Sequence, residues 1–364
     1  MLSHLKVVEI TDQLGAYTGR ILAELGADVV KLGAVKADAN WRVTNAGKRL
    51  IDLDLATDAG LDQLATLIAN ADILLQGDSD DLAARGLDHA RLAASNPRLI
   101  SVVVAPFAEH GPMAGAPASD LTLMAMSGIL NMVGDPEHAP LKLPGAQAYA
   151  LGGIQAVTGA LTALRARQVS GVGQRVWVSA YQSAVLAGYR DPIVWEWTGR
   201  IGQRTGNSLV RGKSGVRQIW AAKDGYVTWA FVDNPPMVKG MVALMQADGV
   251  AGILADVDWA AILVADAPQE QIDDWEAILA AWISTKPKRW LAEMSAEHAL
   301  GLSVIDMPAE AATSAHWKSR GFWRRLADPC GGPDLPIPGP LFQSAAVHPA
   351  DPTPARAWSE EPRS

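Results

Sequence analysis

The chain has 364 residues, enough to bury a sizeable core and to form two domains. Its composition, with 49% hydrophobic and 19% charged residues, is typical of a globular protein and excludes a disordered one. The formal net charge of -8 argues against nucleic acid or an anionic membrane as the main partner, because both favour clustered lysine and arginine.

The N-terminal part of the chain alternates between apolar runs and amphipathic segments. Apolar runs at residues 7–10, 27–32, 71–75 and 99–105 predict buried strands. Apolar residues at helical spacing predict helices at residues 15–25, 61–69 and 88–94. This alternation predicts an α/β fold with a doubly wound, mostly parallel, Rossmann-like sheet.

The pattern changes in the second half of the chain. Residues 150–165 predict a long apolar helix in which Gly152, Gly153 and Gly159 permit close packing. Residues 204–215, rich in glycine and basic side chains, predict a loop, and residues 219–231 predict a hairpin that turns at residues 223–225. Helices follow, and we interpret their tryptophans as core or interface packing. A tail dense in glycine and proline begins at Asp328.

Signals for a metal, a disulfide or a nicotinamide cofactor are missing. The single cysteine, Cys330, cannot form an internal disulfide, and neither His298 nor His316 has a partner at ligand spacing. No Gly-x-Gly-x-x-Gly fingerprint follows the first strand. The sequence also has no signal-peptide core and no run of about 20 apolar residues. We therefore expect a soluble, cytoplasmic protein without a metal site.

Six short segments carry a family resemblance. They are residues 9–31, 45–49, 52–55, 96–100, 125–128 and 140–142. In this order they resemble the family III CoA-transferases, a group that includes formyl-CoA transferase, carnitine CoA-transferase and α-methylacyl-CoA racemase. The resemblance covers nearly the whole chain and thins in the last third.

The resemblance implies a particular domain organisation. A large domain is expected from both chain ends, at residues 1–215 and 325–364, around a smaller α+β domain at residues 216–324. Two protomers are expected to interlock, each threading the other. The second protomer can be a copy of this chain or a homologous, catalytically competent subunit.

Tyr149 is the most informative position for the activity. In the family, an aspartate four residues before a helix glycine attacks the acyl-CoA carbonyl, and alignment on Gly153 and Gly159 places Tyr149 at that position. A carboxylate is needed there because it must be both nucleophile and leaving group. A phenol with a pKa of ~10 is a poor replacement, so Tyr149 is not expected to be nucleophilic.

Other family positions are occupied by matching residues. By resemblance, Gln13 and Asp120 are assigned to catalysis, and Gly212 and Gly215 to a mobile lid. CoA-binding roles are assigned to Asp12, Leu14, Arg85, Lys142 and Tyr181. Structural alternatives stay open, because Asp120 can cap a helix and Arg85 and Lys142 can be solvated surface charges.

Two departures from the family bear on activity. The family loop that contacts CoA after the third predicted strand is replaced by residues 76–81, which contain three aspartates and disfavour CoA phosphates. Ser119 stands where racemases have a histidine. Racemisation needs a histidine and an acid on opposite faces of the α-carbon, so it is not expected.

Three hypotheses follow. The first is a family III CoA-transferase polypeptide that moves CoA between an acyl-CoA thioester and a carboxylic acid, acting as the degenerate subunit of a heteromeric enzyme. The second is an acyl-CoA-binding enzyme with altered chemistry, racemase-like, isomerase-like or lyase-like. The third is a non-enzymatic scaffold that keeps the fold. In the first two, CoA is a substrate rather than a tightly bound cofactor.

Overall fold

The computed structural model describes residues 1–36, 38–78, 82–211, 213–328, 331–345, 349 and 351–357. Contacts divide the chain into two compact units. The first unit contains Met1–Asn131, Leu141–Gly202 and the residues from Ala315 onward, and the second contains Met132–Pro140 and Gln203–Ser314.

The strands of the described residues are short, and most belong to the first unit. They are β1 (Lys6–Ile10), β2 (Asp28–Leu32), β3 (Arg49–Ile51), β4 (Ile73–Gly77), β5 (Ile100–Ala105), β6 (Arg175–Ser179), β7 (Ser208–Arg211), β8 (Ser214–Arg217), β9 (Ile219–Ala222), β10 (Gly225–Thr228), β11 (Ser303–Ile305), β12 (Trp323–Leu326), β13 (Leu335–Pro338) and β14 (Arg356–Ala357).

The helices range from one turn to more than six. They are α1 (Gln13–Glu24), α2 (Ala39–Thr44), α3 (Asp58–Ala69), α4 (His89–Ser95), α5 (Asp120–Met126), α6 (Gln147–Ser170), α7 (Ala180–Val185), α8 (Asp191–Thr198), α9 (Pro235–Ala247), α10 (Gln269–Ile283), α11 (Lys288–His298), α12 (Pro308–Thr313) and α13 (Ala315–Ser319). No helix in these ranges is both long and apolar enough to cross a membrane.

The first unit is built on a seven-stranded sheet with the strand order β14-β3-β2-β1-β4-β5-β6. All neighbouring strands run parallel. The chain leaves β1 towards β2 on one side and later returns to β4 on the other, as in doubly wound folds. The predicted doubly wound, mostly parallel sheet is confirmed. Both ends of the chain contribute to it, because β14 pairs with β3 and places Arg356 beside Arg49.

Helices cover both faces of this sheet. One core joins α1 and α6 to residues such as Leu22 and Ile73, and another joins α3 and α4 to Leu64, Leu74 and Leu92. The adjacent residues Ile73 and Leu74 belong to different cores because side chains alternate along a strand. Strands buried on both faces have nearly continuous apolar sequences, which is why the sequence revealed them.

Glycines in α6 set its distance from its neighbours. A Cβ at Gly153 would lie 3.3 Å from Tyr17 Cβ, and one at Gly152 would lie 3.0 Å from Ala180 Cβ. The Thr18 hydroxyl donates to the Gly153 carbonyl oxygen at 3.2 Å. The close approach predicted for these glycines is therefore present, and it brings the first two turns of α1 and α6 together.

The second unit has an antiparallel sheet, β11-β10-β9, packed with helices. The hairpin predicted at residues 219–231 is confirmed as β9 and β10. Phe231 stacks on Trp259 with ring centroids 5.6 Å apart, and both belong to a core that contains Trp275 and Trp282. The interpretation of these tryptophans as packing residues is confirmed.

Residues 204–215 are not simply the predicted loop. They include β7 and the start of β8, which form an antiparallel hairpin in which Val210 pairs with Gly215. Glycine favours this close pairing, because a Cβ at Gly215 would lie 2.2 Å from Ser208 Oγ. The hairpin belongs to the second unit, whose longer segment is Gln203–Ser314. The smaller domain was expected at residues 216–324.

Candidate active site

The candidate active site lies where the first turns of α1 and α6 meet. Leu14, in the first turn of α1, is buried, and its Cδ1 lies 3.8 Å from the Cβ position of Gly152. Tyr149, in the first turn of α6, packs against the same core. The Asp12 carboxylate is close enough to act electrostatically on the Tyr149 phenol. The structure therefore brings together Asp12, Leu14 and Tyr149 from the predicted set.

The Tyr149 side chain is held as a neutral phenol. Its hydroxyl donates to the Ala118 carbonyl oxygen at 3.3 Å. Burial raises the pKa of the phenol, and the carboxylates of Asp12 and Asp120 raise it further. Each of these causes opposes the phenolate, which is the form a nucleophile requires. The environment of Tyr149 thus favours a hydrogen-bond donor.

Asp120 is held by a hydrogen bond to the N-terminal end of α6, where Tyr149 lies. It is the first residue of α5, whose N-cap is Ser119, and it is 9% exposed. Asp120 Oδ1 accepts the Tyr149 backbone N–H at 3.2 Å. The N-cap of α6, Ala146, makes no side-chain capping bond, so Asp120 caps α6 from outside that helix. The structural alternative of a capping role is thus realised, on α6 instead of α5.

Lys142 lies on the Oδ2 side of Asp120. Its Nζ is 3.8 Å from Asp120 Oδ2, an ion pair beyond hydrogen-bond distance. The ammonium donates instead to the carbonyl oxygens of Leu143 and Gly145. Since the side chain is 44% exposed, solvent screening makes its attraction for Asp120 weak. Lys142 nevertheless places a positive charge at the edge of the site.

Tyr181 lies on a neighbouring helix. Its hydroxyl donates to the Met126 carbonyl oxygen at 3.4 Å, and its ring packs against Phe107 with centroids 5.8 Å apart. It packs against the same core as Tyr149. These contacts hold α5 and α7 together near the site.

A cavity opens beside α1 at the carboxyl ends of β1 and β2. Its volume is about 390 Å³. Gln13 faces it from the first turn of α1, where Asp12 accepts the Leu14 backbone N–H at 3.1 Å as the N-cap. The lining also includes Thr11, Lys31, Lys36, Asp38, Asn40, Trp41 and Asn45. Ligands of doubly wound sheets bind at this edge, so this cavity is the candidate substrate pocket of the first unit.

A buried cluster of charged and polar side chains lies behind the cavity lining. Glu9 Oε1 accepts from Lys31 Nζ at 2.7 Å, from Lys48 Nζ at 2.9 Å and from Thr11 Oγ1 at 2.7 Å. Lys48 also donates to Asn45 Oδ1 at 2.9 Å. Because Thr11, Lys31 and Asn45 line the cavity, the cluster fixes the positions of its walls. We call this set the Glu9 cluster.

The Glu9 cluster was not predicted from the sequence. Glu9, Lys31 and Lys48 lie within the segments that carry the family resemblance, but the pattern there was interpreted as strands. A signal was present, because Glu and Lys are almost never fully buried unless they are paired. Side chains of opposite charge within apolar strands therefore predict a buried ion pair. They do not predict which residues form it.

No contact within the described chain joins Arg85 to Asp12, Leu14 or Tyr149. Its guanidinium donates to the Leu55 carbonyl oxygen at 2.7 Å, after β3. Gly212 lies outside the described residues. Gly215 is held in β8, where its N–H donates to Gln269 Oε1 at 2.9 Å. The lid assignment of both glycines stays a prediction.

The acidic segment after β4 is described only in part. Gln76 and Gly77 are the last residues of β4. Burial raises the pKa of the Asp78 carboxyl. Residues 79–81 lie outside the described ranges. Over the described ranges, no group of three or more His, Cys, Asp or Glu side chains could hold a metal ion. The catalytic assignment of Gln13 and Asp120 stays a prediction.

Known proteins with the same fold and sequence features identify the family. The sequence model of CoA-transferase family III matches residues 2–363. The chain is 27% identical over 364 residues to succinyl-CoA:(R)-benzylsuccinate CoA-transferase subunit BbsE of Thauera aromatica, covering 94% of this chain and 87% of that protein. It is 29% identical to succinyl-CoA–D-citramalate CoA-transferase of Chloroflexus aurantiacus, covering 88% and 82%.

A solved structure agrees with this assignment. The crystal structure of a CAIB/BAIF family protein from Brucella suis superposes with a TM-score of 0.80 at 26% identity, covering 98% of this chain and 96% of that one. The chain belongs to CoA-transferase family III.

Proposed function

We propose that this chain is the catalytically degenerate subunit of a heteromeric family III CoA-transferase, which moves CoA between an acyl-CoA thioester and a carboxylic acid. One observation carries the proposal: the first turn of α6 presents the Tyr149 phenol, and that phenol donates to the Ala118 carbonyl oxygen. Its raised pKa keeps it protonated at neutral pH. A partner subunit supplies the nucleophilic aspartate.

Two further observations support a heteromeric assembly. The Thauera aromatica relative is itself named as a subunit of a CoA-transferase. The first unit also exposes apolar side chains along α8 and its flanks. We call residues 189–201 the α8 segment. Its exposed apolar residues are Tyr189, Ile193, Val194, Trp195, Trp197 and Ile201. Apolar surface of this kind marks a protein–protein contact. A homologous, competent chain is the proposed partner.

CoA enters this proposal as a substrate. The cavity beside α1 offers an aromatic face from Trp41 and polar groups from Gln13 and Asn45. Its volume of about 390 Å³ takes part of an acyl-CoA molecule. Lys36 in the cavity lining and Lys142 beside Asp120 supply positive charge that can attract phosphates or a carboxylic acid.

The central experiment restores a carboxylate at position 149. We expect the wild-type chain alone to transfer no CoA from succinyl-CoA to a panel of carboxylic acids. Addition of a homologous subunit that carries the aspartate should produce transfer. Tyr149→Asp in the purified chain should produce a slow transfer without a partner, because a carboxylate can attack the thioester carbonyl.

The matched control is Tyr149→Asn. Asparagine has the size of aspartate but cannot form the anhydride, so it should stay inactive. The proposal fails if the wild-type chain alone transfers CoA at turnover numbers of roughly 1 per second or more, the usual range for enzymes.

An acyl-CoA enzyme with altered chemistry is the second candidate, and one observation favours it. The protonated Tyr149 phenol can donate a hydrogen bond to a substrate carbonyl if it leaves Ala118. Tyr149→Phe would then abolish turnover, whereas intact turnover in this variant excludes the role. Calorimetric titration of CoA and acetyl-CoA distinguishes the two enzymatic hypotheses from the scaffold hypothesis. Both enzymatic hypotheses expect binding, whereas a scaffold is expected to bind neither compound.

A further inference from the structure

The Glu9 cluster carries more positive than negative charge when both of its lysines are protonated. Lys31 Nζ lies 2.7 Å and Lys48 Nζ 2.8 Å from oxygens of the Glu9 carboxylate. Glu9 and Lys48 are fully buried, and Lys31 is 6% exposed. Buried charges are usually paired, and one carboxylate balances one ammonium. Within the cluster, the second ammonium is therefore left without a counter-charge.

The hydrogen bonds of Lys48 are nevertheless those of an ammonium group. Its Nζ donates to Glu9 Oε1 at 2.9 Å, to the Ala16 carbonyl oxygen at 2.7 Å and to Asn45 Oδ1 at 2.9 Å. Three acceptors match the three N–H donors of a protonated lysine. Helix α1 leaves room for the side chain at Gly19, where a Cβ would lie 3.1 Å from Lys48 Cε. The surroundings thus fit the protonated lysine, although its charge is not balanced.

The neighbouring charges among the described residues do not supply this balance. The charges that act on Lys48 are those of Glu9, Lys31 and Arg20. Arg20, on α1, adds positive charge, and its own partner Glu24 is paired with it at 2.7 Å. Burial, Lys31 and Arg20 lower the pKa of Lys48 to about 7, against the opposing effect of Glu9. A further negative charge nearby would therefore shift Lys48 towards its protonated form.

The cavity beside α1 adjoins Lys48. Ala16 and Asn45, which accept hydrogen bonds from Lys48, both line this cavity, as does Lys31. An anionic group in the cavity thus lies on the other side of these lining residues from Lys48. Charges within a protein are screened little by salt, so a bound anion acts on the Lys48 ammonium through this wall.

The lining of the cavity is compatible with an anion. Lys36 supplies an exposed ammonium, and the lining carboxylates are those of Asp12 and Asp38. Each carboxylate accepts a backbone N–H at the start of a helix, Asp12 from Leu14 at 3.1 Å and Asp38 from Trp41 at 2.7 Å. The positive helix ends offset part of the two negative charges. Lys36 can therefore attract an anionic group into the cavity.

We propose that an anionic oxygen group of the substrate, a phosphate or a carboxylate, binds in the cavity beside α1 and that Lys48 takes up a proton from solvent as it binds. The anion provides the second negative charge, and the proton completes the ammonium that the three acceptors surround. The inference deepens the proposed function, since it rests on this cavity as the substrate pocket. By linkage, the affinity for the anion falls as pH rises above neutrality, because the unliganded chain then has less protonated Lys48.

Calorimetric titration in two buffers of different ionisation enthalpy measures the number of protons taken up on binding. CoA is compared with pantetheine, which lacks the phosphates, and succinate is compared with succinamide, which lacks the carboxylates. For at least one anion we expect proton uptake and an affinity that falls about threefold or more between about pH 7 and pH 8.5. The neutral compounds should cause no uptake. Uptake with CoA identifies a phosphate as the bound group, and uptake with succinate identifies a carboxylate.

Two lysine variants assign the proton. Lys48→Met removes the titrating group and should bind the same anion without proton uptake. Lys36→Met is the control, because it removes a charge from the cavity lining and should weaken binding while proton uptake persists. Equal proton uptake by the wild type and Lys48→Met overturns the proposal. Anion binding by the wild type without proton uptake also overturns it, and that result needs no variant.

The outcomes also distinguish this proposal from the proposed function. CoA binding without proton uptake overturns the proton linkage and leaves the transferase assignment intact. Succinate binding with proton uptake, together with no binding of CoA, supports the linkage and contradicts CoA as a substrate. If neither anion binds at roughly 10 mM, a concentration that detects even weak complexes, the proposal is overturned.

Discussion

At the scale of single residues, Lys48 is a costly group to bury. Its side chain is fully buried and shares Glu9 with Lys31, so two ammonium groups depend on one carboxylate. Burial lowers the pKa of Lys48 to about 7, although the Glu9 carboxylate opposes part of that shift. The same two lysines lower the pKa of Glu9, which burial alone would raise. The cluster therefore links stability to pH.

The sign of that linkage gives a prediction. The pKa of Lys48 falls from 10.5 in the unfolded chain to about 7 in the folded one. Between these values the unfolded chain holds a proton that the folded chain has released, so the Lys48 contribution makes the fold more stable as pH rises through this window. We expect the unfolding free energy of the wild type, relative to Lys48→Met, to increase between about pH 7.5 and pH 9.

Urea denaturation of both proteins at each pH measures this difference. The increase cannot exceed about 1.4 kcal/mol per pH unit for one proton. Parallel pH profiles for the two proteins would show that Lys48 keeps an ordinary pKa in the folded chain.

At the scale of elements, α6 depends on a residue outside itself. The helix has 24 residues, and its N-cap Ala146 makes no side-chain capping bond. The Asp120 carboxylate accepts the Tyr149 N–H instead and also places a negative charge at the positive end of the helix. The position of α6 is thereby coupled to that of α5.

Substitutions of Asp120 test this coupling. Asp120→Ala should lower the unfolding free energy by about 1–2 kcal/mol, the usual cost of a lost cap. Asp120→Asn should cost less, because its amide oxygen can still accept the N–H. Ser119→Ala removes the cap of α5 only and serves as the control. If thermal denaturation finds Asp120→Ala as stable as the wild type, Asp120 does not cap α6.

The elements also show what the sequence could predict. The strands β1, β2, β4 and β5 were predicted because burial on both faces makes their sequences apolar. The short strands β3 and β14 escaped prediction, since Arg49 and Arg356 break the apolar pattern and the strands exist through their pairing. The hairpin of β7 and β8 escaped because its glycines and basic residues resemble a loop.

The candidate site was predictable only through the family resemblance. Tyr149 was located by its spacing from Gly153 and Gly159, and the structure places it beside Asp12 and Asp120. Its hydrogen bond to Ala118 could not be predicted, because that contact depends on the path of the chain before α5. Long-range partners of this kind leave no local pattern in a sequence.

At the scale of the whole molecule, the α8 segment is the most exposed apolar feature. Trp197 is 85% exposed and Trp195 is 55% exposed, and no residue of α8 is buried. A cluster of exposed apolar side chains on one helix marks a surface that another protein covers. The proposed covering surface is a homologous subunit.

Removing the two tryptophans tests that contact. We expect Trp195→Ser with Trp197→Ser to stop this chain from binding the homologous subunit, so that the native mass of the mixture, measured by light scattering after gel filtration, falls from that of a heterodimer to that of the separate chains. Val169→Ser is the control, because Val169 is 83% exposed on α6 outside the segment. A dimeric mass that survives the double substitution would place the interface elsewhere.

The pairing of β14 with β3 has a consequence for biosynthesis. Residue 49 leaves the ribosome well before residue 356, so the outer edge of β3 waits without its neighbour while the rest of the chain is translated. An open strand edge is a template for pairing with other chains, and long-range pairing slows folding. Nascent or prematurely terminated chains should therefore be more prone to aggregation than the finished protein, and more dependent on chaperones.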